Sequence, residues 1–173
     1  MLIALALAAA LLARGGAAEE YHGELVRLHV VAADDSAEAQ ALKLEARDAC
    51  LARARTLLAG CRDADAAWTV VNGRLADFAA AATAALRREG CGDDVTAEAG
   101  IFDFPDRKYG DTLVPAGRYR ALRVVIGAGR GRNWWCVLYP SLCLPEAYGD
   151  GRPVRFHSAI WDWLVRVFGG GGA

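Results

Sequence analysis

The chain has 173 residues, 54% apolar and 24% charged, and its 20 basic and 21 acidic side chains leave a formal charge of −1. That length suits one domain with its own core, and the composition is that of a globular chain rather than a disordered one. Nothing in the near-neutral balance favours nucleic acid, whose binding wants a strongly basic face.

Residues 2–13 form an uncharged run of Leu, Ala and Ile, small residues follow at 15–18, and polar sequence starts near Glu19. The apolar run followed by small residues is the pattern of a secretory signal, short of the usual Lys or Arg ahead of it, so residues 1–18 read as a signal peptide or a short N-terminal anchor. The run is shorter than the roughly 20 residues of a membrane span. Residues 25–32 read as a strand, with Val26, Leu28 and Val30 alternating against Arg27 and a half-exposed His29. Asp34-Asp35-Ser36 ends it, and Asp35 with Glu38 predicts a capping-box-like start to a helix over residues 37–59. Leu44, Leu51 and Leu58 mark its apolar stripe, with Cys50 and Ala54 beside them.

A second helix is predicted from Asp63 or Asp65 to Gly90, since Trp68, Val71, Leu75, Phe78, Ala82 and Leu86 recur at helical spacing. The short connection predicts antiparallel packing of the two helices. The period then changes. Residues 95–104 alternate as a strand up to Pro105, residues 109–117 are rich in turn formers, and residues 119–126 form another strand. Gly127, Gly129 and Gly131 make a basic turn, expected to be a hairpin tip. Residues 134–144 are aromatic and apolar, 148–153 read as a linker, and Phe156, Ile160, Trp163, Leu164 and Val167 predict an amphipathic tail helix. The domains expected are thus 1–18, 19–147 and 148–173. The fold class expected is α+β: an antiparallel helix pair on a small, mainly antiparallel sheet, with a C-terminal amphipathic helix.

Three constellations carry candidate chemistry. The glycine-rich turn with Arg130 and Arg132 offers backbone N–H groups to an anion, but it lacks the Lys-Ser or Lys-Thr of a phosphate-binding loop. Cys136 reads in two ways. Beside His29, Asp34 and Asn133 it is a thiol nucleophile, with His29 as base and a carboxylate orienting the imidazole. Bridged to Cys143 around Pro140 it is instead half of a disulfide that adds about 2–3 kcal/mol. Cys50 lies on a helical core face as a small hydrophobe, while Cys61 and Cys91 follow helix-ending glycines. Lys43 and Arg47 lie one turn apart beside the apolar stripe. They are expected to snorkel outward, with Asp34, Asp48 or an acidic patch on a partner as the alternatives. No His stands at ligand spacing from any Cys, so neither metal nor cofactor is expected.

Read together, the strings Arg27-Leu28-His29-Val30-Val31-Ala32, Gln40-Ala41-Leu42-Lys43-Leu44 with Arg47-Asp48-Ala49, Phe104-Pro105 and Tyr109-Gly110-Asp111 form one pattern. Pro115-Ala116-Gly117-Arg118-Tyr119, Asn133-Trp134-Trp135-Cys136-Val137-Leu138 and Pro140-Ser141-Leu142-Cys143 complete it. The pattern resembles the stage II sporulation protein R family over nearly the whole mature domain. That resemblance implies an exported signalling protein, made in the forespore and acting in the space between forespore and mother cell. There it would activate the membrane-embedded aspartic protease that processes pro-sigma-E. It implies a non-catalytic role, with a Cys-His hydrolase of the septal envelope as the alternative. Asn133, Trp134, Trp135, Tyr139, Lys43 and Arg47 are the candidate partner-binding residues, and Cys136 with Cys143 the candidate bridge. The partners expected are the protease and, through the tail helix, a membrane surface, with no nucleic acid and no small-molecule substrate.

Overall fold

The computed structural model describes residues 21–109 and 112–140. In chain order these form β1 (Tyr21–Val31), α1 (Ala37–Leu58), α2 (Ala64–Gly73), α3 (Leu75–Arg88), β2 (Val95–Phe104), β3 (Arg107–Tyr109), β4 (Thr112–Val114), β5 (Gly117–Ile126) and β6 (Asn133–Tyr139). The class is α+β with a mainly antiparallel sheet. Its order is β2-β5-β1-β6, with β1 parallel to β5 and the other two pairings antiparallel; β3 and β4 form a separate two-stranded hairpin. The expected leader, linker, tail helix and Cys143 lie outside the described residues. No helix among the described residues is long and apolar enough to cross a membrane.

Local chemistry explains the helix boundaries. The cap of α1 is Ser36, not the expected Asp35: its side chain accepts from the Ala39 N–H at 3.2 Å. Asp34 causes this, because its carboxylate accepts from the Ser36 N–H at 2.8 Å and turns the chain into the helix. The second expected helix is divided in two. Asp63 caps α2, and the chain breaks at Arg74 (φ −127°) after Gly73, the poorest helix former apart from proline. The periodicity survives the break because Val71, Phe78, Ala82 and Leu86 all reach one core. The buried stripe of α1 is Ala39, Lys43, Ala46, Cys50, Leu51, Ala54 and Leu58, so small residues line its centre and Leu44 moves to its flank. Cys50 and Phe78 meet there, with Sγ 3.9 Å from the Phe78 carbonyl, and Arg53 pairs with Asp77 across the helices.

The pleat divides the sheet. Val26, Leu28 and Val30 of β1, Leu122, Val124 and Ile126 of β5, and Cys136 and Leu138 of β6 pack with the helices. The opposite face is also buried, and this is a correction: Arg27 has no exposed surface and His29 only 7%. Leu25, Phe104, Tyr119, Ala121 and Val137 form a second core there, closed by Val114 of the hairpin.

A second correction concerns the glycine segment. It is no hairpin tip, because β1 lies between β5 and β6. The segment crosses the end of β1 instead, and its N–H groups bond inward. Arg130 and Gly131 donate to the carbonyls of Ala33 and Ala32 at 3.0 Å, and Arg132 donates to the Asp35 carboxylate at 2.7 Å. Gly129 adopts φ +62°. At Gly131 a Cβ would stand 2.0 Å from the Asp34 carbonyl oxygen, a backbone atom that cannot swing aside.

Gly131→Ala is therefore expected to destabilise the protein by about 2–3 kcal/mol in denaturant unfolding. Gly60→Ala, where nothing lies within 4 Å of the added carbon, should be neutral or mildly stabilising. Equal midpoints for the two variants would show that the crossing segment is not tightly seated.

Candidate functional site

Two clusters of side chains lie on opposite faces of the sheet, joined by β6. On the helix side, β6 begins next to the first turns of α1. Lys43 does not snorkel outward. It is buried, and its Nζ donates to Gln40 Oε1 at 2.6 Å and to the Arg132 carbonyl at 3.1 Å. Burial is the main reason its pKa lies below the ordinary lysine value, with the nearby Arg132 charge adding to it. Arg47 pairs with Asp48 at 2.7 Å and lays its guanidinium 4.5 Å from the centre of the Trp134 ring. Trp134 is 36% exposed, so its other surface meets solvent. Lys43, Arg47 and Trp134 thus come together with the exposed Arg130, Arg132 and Asn133 around one corner.

The remaining candidates lie elsewhere. Trp135 points to the other face, where it stacks on His29 at 3.9 Å and meets the Phe104 ring at 4.7 Å. Tyr139 ends β6, half-buried against the helix-side core, and burial chiefly raises its pKa, with Asp63 and Cys61 contributing.

The second cluster centres on Arg27, which the alternation of β1 had marked as a solvent-facing residue. Its Nε donates to the Cys136 carbonyl at 3.0 Å and its Nη2 to the Tyr109 hydroxyl at 3.0 Å. That hydroxyl in turn donates to the Trp135 carbonyl at 3.1 Å. The guanidinium carbon lies 4.3 Å from the Phe104 ring centre and 4.9 Å from that of Tyr119. Burial lowers the Arg27 pKa, and the Tyr109 and Tyr119 hydroxyls act against it. The sequence did carry a signal for this cluster. Phe104, Tyr109 and Tyr119 belong to three separate motif strings and converge here on Arg27.

The candidate catalytic pair is not assembled. His29 pairs in register with Trp135, and Leu28 with Cys136, so the imidazole and the Cys136 side chain project from opposite faces. Cys136 lies in the helix-side core, whereas His29 stacks against the aromatic cluster. Cys50, Cys61 and Cys91 are free thiols, and burial pushes that of Cys50 up to about 12, leaving it inert. Among the described residues no group of His, Cys, Asp and Glu gathers to hold a metal.

A family model described as Stage II sporulation protein R matches residues 22–148. A curated protein named Stage II sporulation protein R, from Bacillus subtilis (strain 168), is 32% identical over 132 residues. The match covers 76% of this chain and 58% of that protein, so the chain spans less than two thirds of its relative. No solved structure matches.

The buried imidazole makes stability depend on pH. Burial is the largest cause holding His29 below its ordinary value of 6.5; Asn133 and Glu98 act upward and Arg123 downward. The unfolded chain therefore takes up this proton first, so the contribution is complete above about pH 6.5 and is lost as the pH falls below it. Asp34 and Asp77 are held below their ordinary 3.8 by hydrogen bonds from Ser36 and Arg53, so their loss sets in only at lower pH. Unfolding midpoints at pH 7.5 and 5.5 should differ for the wild type and much less for His29→Gln. An unchanged difference in the variant would assign the slope to another group.

Proposed function

The chain belongs to the stage II sporulation protein R family, and from that premise we propose that it is an exported activator of proteolysis during sporulation. In this reading it is made in the forespore and passes into the space between the two septal membranes. There it docks on the mother-cell membrane aspartic protease that processes pro-sigma-E. Residues 1–18 direct the export, and the Cys136–Cys143 bridge ties off the end of β6. In this reading the amphipathic tail sequence, residues 148–173, meets the membrane surface beside the protease.

The observation that supports a docking role is Trp134. It is a large aromatic side chain left 36% exposed while its other surface is held by Arg47. Tryptophan and arginine carry a disproportionate share of interface energy, and a preorganised anchor loses little side-chain freedom on binding. Activation also sets a magnitude. Moving a protease from about 1:99 to 99:1 in favour of its active state takes roughly 5.5 kcal/mol of differential affinity. One anchor of about 2–4 kcal/mol is a large part of that. Lys43, Arg47, Asn133, Trp135 and Tyr139 serve this surface in different ways. Arg47 and Asn133 border Trp134 on the outside, whereas Lys43, Trp135 and Tyr139 hold the strand that presents it.

Co-expression of the chain with the protease and pro-sigma-E in a non-sporulating host should yield cleaved sigma-E. Trp134→Ala, with its unfolding midpoint within about 1 kcal/mol of wild type as expected for a surface position, should lose most of that cleavage. A folded Trp134→Ala that activates like wild type would remove Trp134 from the docking surface.

A further inference from the structure

Arg27 is a full guanidinium charge with no exposed surface, and the side chains that shift its pKa are the tyrosines Tyr109 and Tyr119, with no carboxylate among them. Among the described residues its Nη1 has no hydrogen-bond partner, and neither ring nitrogen of His29 lies within hydrogen-bond distance of one, although the Asn133 side chain acts on that imidazole. These two residues lie two apart on β1, on the same face, and both approach the Phe104 ring. A buried charge without an opposite charge costs several kcal/mol, and orphaned polar atoms beside it add to that. Two such residues, adjacent on one face, point to a partner that the described residues do not supply.

We propose that Arg27, with His29 beside it, forms a carboxylate-binding site beneath the β3–β4 hairpin. The hairpin makes its backbone ladder only with itself. Its polar tie to the site is the Tyr109 hydroxyl, which occupies Nη2 of Arg27. A carboxylate that displaces this hydroxyl reaches Nη2 and the vacant Nη1 together, which is the planar two-point pairing a guanidinium favours. Tyr109 keeps the Trp135 carbonyl as an acceptor when it yields. An unprotonated His29 supplies one N–H donor to the same anion. A single negative charge matches the single positive one. A phosphate dianion would bring a further charge among the aromatic rings of Phe104, Tyr119 and Trp135, so a carboxylate is the anion selected. It arrives as an acidic side chain or a free chain terminus of an extended peptide. This site lies on the face opposite Trp134 and does not rest on the protease reading.

The test is tryptophan fluorescence of the full-length chain, since Trp135 borders the site, titrated with sodium acetate against sodium chloride and sodium phosphate at equal ionic strength. Acetate should change the emission saturably, chloride and phosphate should not, and the unfolding midpoint should rise by about 2–4 °C near saturation. Arg27→Lys, which keeps the charge and loses the fork, should weaken acetate binding at least about tenfold. Tyr109→Phe, which vacates Nη2, should tighten it. Two tetrapeptides then separate the sources: one with a central Asp and amidated end, the other neutral with a free terminus. The tighter binder identifies the source. No acetate-specific response in the wild type, or an undiminished one in Arg27→Lys, overturns the proposal.

Discussion

A guanidinium held entirely out of water dictates what may surround it. Arg27 needs acceptors for its N–H groups and polarisable surfaces for its charge, and neither is available from one strand alone. The acceptors come from β6 and β3, as the Cys136 carbonyl and the Tyr109 hydroxyl. The surfaces come from β2 and β5, as Phe104 and Tyr119. Four elements distant in the chain are therefore fixed relative to one side chain. The short β3–β4 pair, too small to stand alone, is stable because it closes this cluster.

The same constraint reaches the opposite face through β6. The carbonyls of Trp135 and Cys136 are both engaged by the Arg27–Tyr109 pair. With the strand fixed at those two residues, the pleat leaves Trp134 on the α1 side, where Arg47 covers one face of its ring. At the preceding residues the chain is tied again, by Lys43 and Asp35 to the carbonyl and N–H of Arg132. Trp134 thus sits between two anchored stretches of backbone, and its exposure is a built feature of the corner.

Much of this was legible in the sequence, for identifiable reasons. The core stripe of the second helical region could be read because Val71, Phe78, Ala82 and Leu86 face one core across the break at Arg74. The α+β class followed from the change of period after residue 90. What could not be read depends on long-range partners. Arg27 and His29 look like the wet side of a strand until Phe104 and the hairpin are brought over them. Lys43 looks like a snorkelling residue until the crossing segment supplies the Arg132 carbonyl. The glycine run looks like a hairpin tip unless the strand order is known, since only the insertion of β1 between β5 and β6 makes it cross. The motif strings of the family placed these residues in one pattern without saying what they do for one another.

The pleat also bears on what chemistry the fold supports. A thiol and its base must come within hydrogen-bond reach. Cys136 and His29 are one register step apart on paired strands, close through the backbone yet on different sides of the sheet. No rotamer brings them together, and a slip of one residue would turn Trp134, Trp135 and Val137 to the wrong faces as well. Arg27 opposes that slip, because its Nε is bonded to one particular carbonyl, that of Cys136. The interaction that separates the would-be catalytic pair is therefore the one that holds Trp134 outward. On this sheet, holding Trp134 outward and assembling a Cys136–His29 dyad are mutually exclusive.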